Sequence, residues 1–258
     1  MKLLIVGGVA AGMSAAARAR RLSESAEIIV VEKSAHVSFA NCGLPYHIGG
    51  EIKERDRLLL HTPESLRKML NLDVRIRQEA IEIFPGSKRL RIRRLDSGEE
   101  YEESYDKLLL CPGAHPVKPS MPGVGGPGIF TLRNIEDMDA INTWIEKEKP
   151  ASAVVSGAGY IGIEMAENLR LRGIEVDFVG KYAQTMPVFD PEMTKGFEQH
   201  LEANGVRLHL GSQAKAFHND AGRILVELEN GKKLPCQMVI LSIGVRPDIQ
   251  LAKDAGLT

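Results

Sequence analysis

The chain has 258 residues, enough for one large or two ordinary domains with a sizeable core. Apolar residues make up 43% and charged residues 26%, which excludes disorder, collagen and coiled coil as descriptions of the whole. With 33 Lys and Arg against 34 Asp and Glu the net charge is −1, so nothing in the balance asks for a nucleic-acid or membrane partner.

The N-terminal phrase MKLLIVGGVAAGMSAAARA imitates a secretory signal peptide. Gly7, Gly8 and Gly12 interrupt its apolar run, and Arg18, Arg20 and Arg21 follow at once. We read it instead as a strand, a glycine-rich turn (GGVAAG, 7–12) and a helix (12–22), followed by a β-rich run at 27–31. No other apolar stretch approaches the ~18 residues that a membrane span needs. Short strands around 74–77, 80–84, 90–93 and 108–110 suggest an inserted β-meander. The basic run 88–94 alternates strictly, so it reads as a half-solvated strand neutralised by Glu99, Glu100, Glu102 and Glu103. Five prolines and five glycines between 112 and 128 mark a linker between domains.

After a helix at 134–149 the opening phrase returns, at an offset of 150: a strand at 153–155, GAGYIG (157–162), a helix at 160–171 and a strand at 174–179. Asp190 as N-cap and Pro191 at the first helical position open another helix, closed near Gly205. A hairpin turning at Asn230-Gly231 and a buried strand at 238–241 follow. These elements predict an α/β chain with two βαβ starts. The first domain takes residues 1–114 plus a return segment, 245–258; the second takes 115–244. That return segment is expected to be unpaired and mobile.

A glycine turn between strand and helix lets backbone N–H groups approach a pyrophosphate, whose charge the helix N-terminus favours. In the first copy Glu32 lies 20 residues after Gly12, placed to accept hydrogen bonds from a ribose diol, although Val9 replaces the middle glycine. The second copy keeps Gly157, Gly159 and Gly162 but has Gly180 and Lys181 where the acid would be. Losing a carboxylate and gaining a cation suits a 2′-phosphate, so this site leans to NADPH over NADH.

Of the three cysteines, Cys42 stands in the loop phrase SFANCGLPYHIGG, while Cys111 and Cys236 edge apolar strands and read as packed residues. Cys42 has no second cysteine within ten residues, so its oxidised form is a mixed disulfide, a persulfide or a sulfenic acid. There is no CxxC pair and the seven histidines lack metal-ligand spacing, so no metal is expected and a reducing cytoplasm is the default.

The phrases GGVAAGMSAAARARRL, VSFANCGLPYHIGG, ESYDKLLLCPGAHP, TLRNIEDMDAI and LSIGVRPD resemble the pyridine nucleotide-disulfide oxidoreductases, in particular the coenzyme A disulfide reductase and persulfide reductase branch. The resemblance implies two Rossmann-like domains, FAD in the first, NAD(P)H in the second, and hydride flow from nicotinamide through flavin to sulfur. It implies FAD contacts at Gly7, Gly8, Val9, Ala10, Ala11, Gly12, Glu32, Lys33, Cys42, Ala80, Gly113 and Arg133. For the nicotinamide nucleotide it implies Gly157, Gly159, Tyr160, Ile161, Gly162, Glu164, Gly180, Lys181 and Gly244, with Tyr160 as a ring that covers the flavin face. Ser14, Arg18, Arg21, Ser38 and Asn41 match coenzyme A contacts, and Cys42 is the implied nucleophile. Ala10 stands where related flavin peroxidases carry a histidine, which speaks against a peroxidase. The family continues with a second flavin-contacting segment and a C-terminal dimerisation domain, both absent from these residues. A homodimer is therefore the expectation for a full-length protein only, and weak flavin binding is the expectation for this chain. The alternatives are an NADH oxidase cycling through Cys42-sulfenic acid and a non-catalytic nucleotide-binding fragment.

Overall fold

The computed structural model describes residues 1–220 and 223–257. It divides into two compact units: Met1–Ala40 with Asp56–His115 and Pro247–Thr258, and Asn41–Arg55 with Pro116–Arg246.

The first unit is built on a parallel sheet in the order β3-β2-β1-β7, with β1 at Lys2–Val6, β2 at Glu27–Val31, β3 at Asp73–Arg75 and β7 at Lys107–Leu110. Strand alternation sends successive side chains to opposite faces, and both faces are covered. Ile5, Ile28 and Val30 pack with Met13 and Ala16 of helix α1 (Ala10–Leu22) and Leu66 of α3 (Pro63–Leu70). Leu4, Val6, Ile29 and Val31 pack instead on Ile83, Leu90 and Ile92 of a separate antiparallel sheet. That sheet is β4 (Gln78–Phe84), β5 (Arg89–Arg94) and β6 (Glu100–Ser104). The expected meander is thus divided: its first and last strands, β3 and β7, pair into the parallel sheet, and only the middle is an insertion. The basic run is the half-solvated strand its alternation indicated. Leu90 and Ile92 are buried, while Arg89 and Arg91 pair with Glu102 and Arg93 with Glu100.

The return segment corrects an expectation. Residues Val245–Pro247 form strand β17 paired with β8 (Ala114–Pro116), and helix α7 (Gln250–Asp254) follows. Leu251 and Ala255 pack onto the second face of the first sheet, and the Asp248 N–H donates to the Gly113 carbonyl at 3.0 Å. The segment is therefore paired rather than unpaired, with Leu251 and Ala255 partly buried.

The second unit has a parallel sheet in the order β12-β11-β10-β16-β9: β9 Ile129–Thr131, β10 Ser152–Ser156, β11 Glu175–Gly180, β12 Val206–Leu210 and β16 Met238–Leu241. One face packs on an antiparallel sheet of β13 (Ala214–Asp220), β14 (Arg223–Leu228) and β15 (Lys233–Cys236). Helices α4 (Ile135–Glu148), α5 (Tyr160–Leu171) and α6 (Pro191–Ala203) complete the unit. The β14–β15 hairpin turns through Asn230-Gly231, and Asp190 is the N-cap residue of α6, although its side chain makes no capping hydrogen bond. The proline- and glycine-rich stretch is not a free linker. Met121 and Val124 pack on the core, and the Phe217 N–H donates to the Pro122 carbonyl.

The segment Asn41–Arg55, expected within the first domain, belongs to the second unit. Its helix α2 (Leu44–Gly49) lies on α5, where the Arg172 Nη1 donates to the Ile48 carbonyl at 3.1 Å.

Candidate active site

In the first unit, β1 runs straight into the glycine turn. Gly7 has φ +98°, a backbone conformation closed to most side chains, and a Cβ on Gly12 would overlap the Gly7 carbonyl oxygen. The backbone is therefore close-packed at Gly7, Gly8 and Gly12, while Val9 is half-buried and Ala10 and Ala11 are exposed at the start of the helix. Val9 is the N-cap of α1 and supplies no side-chain cap, so the helix N-terminus presents uncapped backbone N–H groups, as a pyrophosphate site requires. Glu32, buried at the end of β2, accepts the Gly8 N–H on Oε2 and the Ser34 N–H on Oε1, both at 2.7 Å. Each oxygen retains an acceptor lone pair for a ribose hydroxyl. The donor set fits an adenine dinucleotide.

Around this turn, Ser38 has φ +51° and donates its N–H to the Gly8 carbonyl at 3.0 Å. Ala80 lies at a register shift of β4. Lys33 lies 3.9 Å from Asp248, which also pairs with His115. Asp248 was missed in the sequence, because nothing local signals that a residue so late in the chain joins the Glu32 end of β2. Ser14, Arg18 and Arg21 are exposed on one stripe of α1, at helical spacing. Arg20 is turned away and buried, donating to the carbonyls of Leu70, Ser23, Glu24 and Asn71.

The second unit repeats the turn with the same close approach: Gly157 has φ +125°, a Cβ on Gly162 would overlap the Gly157 carbonyl, and Gly159, the N-cap of α5, supplies no side-chain cap. Tyr160 is 61% exposed and meets Phe189 edge-on at 6.4 Å. At the end of β11, a side chain on Gly180 would crowd Leu210 and Ala158, which leaves no room for an acid, and the next residue, Lys181, is exposed. Gly244 has φ +117° and accepts the Val117 N–H at 2.9 Å. These residues fit a second dinucleotide.

Cys42, Asn41 and Arg133 also belong to this unit. Cys42 is exposed in a single 3-10 turn, Asn41–Gly43, that leads into α2. Of the other two thiols, Cys111 is half-buried and Cys236 buried, and burial pushes Cys111 up and Cys236 up to about 12. Next to Cys42, the Tyr46 hydroxyl is pushed up by burial and by the negative charges of Glu164, Glu167 and Glu51. Burial, with Glu167 beside it, also raises the Glu164 carboxyl. Arg133 leads into α4, its backbone engaged by Asp137. Among the described residues no group of His, Cys, Asp and Glu is arranged to hold a metal ion, and no helix is long and apolar enough to cross a membrane.

The family model for the pyridine nucleotide-disulphide oxidoreductases matches residues 1–258. A protein of Methanocaldococcus jannaschii named NADH oxidase is 37% identical over 99% of the chain, and the coenzyme A disulfide reductase of Staphylococcus haemolyticus is 33% identical over 99%. The crystal structure of reduced CoADR-RHD from Bacillus anthracis superposes with a TM-score of 0.97 at 46% identity, covering all of this chain and 46% of that one. The chain spans 57% of the length of both curated relatives. Matched from end to end by one family model, with both glycine turns formed, the chain belongs to the pyridine nucleotide-disulphide oxidoreductase family.

Proposed function

We propose that these residues carry the nucleotide sites and the redox thiol of a flavin-dependent oxidoreductase, which passes reducing equivalents from NAD(P)H through FAD to Cys42 and thence to coenzyme A disulfide or a persulfide. The observation that carries this reading is exposure: Cys42 is exposed in the turn that opens α2, whereas Cys111 is half-buried and Cys236 is buried. FAD would supply two-electron carriage between nicotinamide and sulfur. The first glycine turn, Glu32 and Lys33 would hold its adenosine and pyrophosphate, with Ala80, Gly113 and Arg133 as further contacts. The second turn, Tyr160, Ile161, Glu164 and Gly244 would hold the nicotinamide nucleotide. Gly180 and Lys181 favour a 2′-phosphate there, hence NADPH.

The Cys42 thiolate attacks one sulfur of the disulfide, forming a Cys42–coenzyme A mixed disulfide and expelling the other coenzyme A as a thiolate that takes up a proton. Two electrons from the nicotinamide and a further proton then cleave the mixed disulfide, restoring Cys42 and releasing the second thiol. Ser14, Arg18 and Arg21 offer two guanidinium groups to the coenzyme A phosphates, with Ser38 and Asn41 nearer in sequence to the thiol. In the full-length, flavin-loaded protein, Cys42→Ser should lower disulfide-dependent NAD(P)H oxidation roughly a thousandfold or more while flavin stays bound. Cys111→Ser should keep turnover; the opposite pattern overturns the reading.

A second reading is an NADH oxidase in which Cys42 cycles through a sulfenic acid, favoured by the relative of that name and by the absence of a neighbouring thiol. Oxygen-dependent NADH consumption without added disulfide separates the two.

A further inference from the structure

Helix α2 has six residues, too few for its own hydrogen bonds to hold it in place. Its position must come from what it rests on. Asn168 of α5 has no exposed surface. Its Nδ2 donates to the Glu164 carbonyl at 2.8 Å, one turn back, which fixes the amide plane. The Oδ1 then has no N–H or O–H donor among the described residues. A buried acceptor left in that state is costly to keep. The oxygen lies against Gly49, where a Cβ would overlap it, so the Gly49 Cα–H points at the oxygen. Four residues further on, the Nη1 of Arg172, the C-cap of α5, donates to the Ile48 carbonyl, one of the last of α2, which no helical N–H reaches. At the far end of the segment the Arg55 fork grips Asp139 of α4, Nε to Oδ1 at 2.9 Å and Nη2 to Oδ2 at 2.7 Å.

We propose that Asn168 and Arg172, with Asp139, are positioning residues that clamp the segment Asn41–Arg55 and so fix the Cys42 thiol relative to α5, the helix that opens at the second glycine turn. The proposal rests on the reading of Cys42 as the redox thiol. An asparagine suits this place better than an apolar residue because its flat amide lets α2 approach at glycine distance while bonding to its own helix. Displacing a reacting group by ~1 Å can cost about a hundredfold in rate, so a loosened clamp should act on the sulfur step alone.

The test uses the full-length, flavin-loaded protein with two acceptors, coenzyme A disulfide, which on the proposed reading needs Cys42, and ferricyanide, which takes electrons from reduced flavin directly. Gly49→Ala and Arg172→Met should each lower disulfide-dependent kcat about tenfold or more. Ferricyanide turnover and the KM for the nicotinamide nucleotide should stay within about twofold of wild type. Adding Asn168→Ala to Gly49→Ala removes the overlapping amide and should restore part of the lost kcat. Hydrogen exchange of residues 41–55 should quicken in both single variants. Equal loss with both acceptors, or no loss with either, overturns the clamp. If Cys42→Ser keeps disulfide turnover, the functional reading fails instead. The clamp is then judged on exchange alone: faster exchange in Gly49→Ala upholds it, and unchanged exchange overturns it.

Discussion

Asp177, in the middle of β11, is a charge that the second unit keeps buried at a cost and then satisfies. Burial works against its ionised form, but Arg207 binds both oxygens, at 3.0 and 2.9 Å, and the His209 Nε2 lies 2.6 Å from Oδ1. Together they hold the carboxyl below its ordinary value. Because the folded value is the lower one, the stabilisation is fully present above the unfolded pKa of about 3.9 and is lost as pH falls through the folded one. Asp177→Asn should therefore lower stability at pH 7 by roughly 2 kcal/mol, less than the ~3–5 of a fully buried pair because Arg207 is half exposed. Urea unfolding at pH 7 and pH 3 checks this, and the gap between variant and wild type should narrow at the lower pH. At the first glycine turn, Gly12→Ala should cost about 3 kcal/mol or more, since its Cβ meets backbone that cannot move aside; thermal unfolding measures it. Gly12, Glu32 and Cys42 could be singled out in the sequence because each stands in a local phrase: the first two in a strand, turn and helix with an acid at the required spacing, the third in a loop that leads into a helix. Asn168 and Asp248 were not legible. An asparagine in an amphipathic helix reads as surface, and an aspartate after a short strand reads as loop, until the fold supplies Gly49 and His115.

The same limit appears at the scale of elements. Alternation announced β5 and its buried face, and the predicted consequence is a sharp contrast along one strand. Leu90→Ala should cost about 2–5 kcal/mol, because its side chain is wholly enclosed between two sheets. Arg91→Ala should cost less than ~1 kcal/mol, because its pairs with Glu82 and Glu102 are exposed to water. Chemical denaturation of the two variants decides it; equal losses would contradict the assignment of faces. Periodicity does not tell a strand which neighbour it will take. That is why β3 and β7 read as parts of a meander when they complete the parallel sheet, and why Val245–Pro247 read as an unpaired end when Ala114–Pro116 was waiting for it. Composition likewise marked 112–128 as a linker, because proline and glycine count the same whether a turn is solvated or, as here, pinned by Phe217.

For the whole molecule, the repeated glycine phrase was enough to foresee two α/β units of the same construction, since strand, turn and helix each follow from residues within reach of one another. The grouping of Asn41–Arg55 with the second unit was not, because it depends on contacts between α2 and two helices far along the chain, α4 and α5. That grouping places the exposed thiol in the unit that carries the second glycine turn. On the proposed reading, Gly180 and Lys181 set the nucleotide preference of the same unit: in the full-length enzyme kcat/KM with NADPH should equal or exceed that with NADH, Lys181→Asp should reverse the order, and a strong wild-type preference for NADH would contradict the assignment. The central claim is that electrons from the nicotinamide arrive at the sulfur of Cys42. It is tested most directly by loading the flavoprotein with coenzyme A as a mixed disulfide, adding NADPH without oxygen, and following Cys42 by mass spectrometry of its peptide. The account predicts loss of the coenzyme A adduct from Cys42 and its appearance as free thiol; an adduct that survives on Cys42 while NADPH is consumed would contradict it.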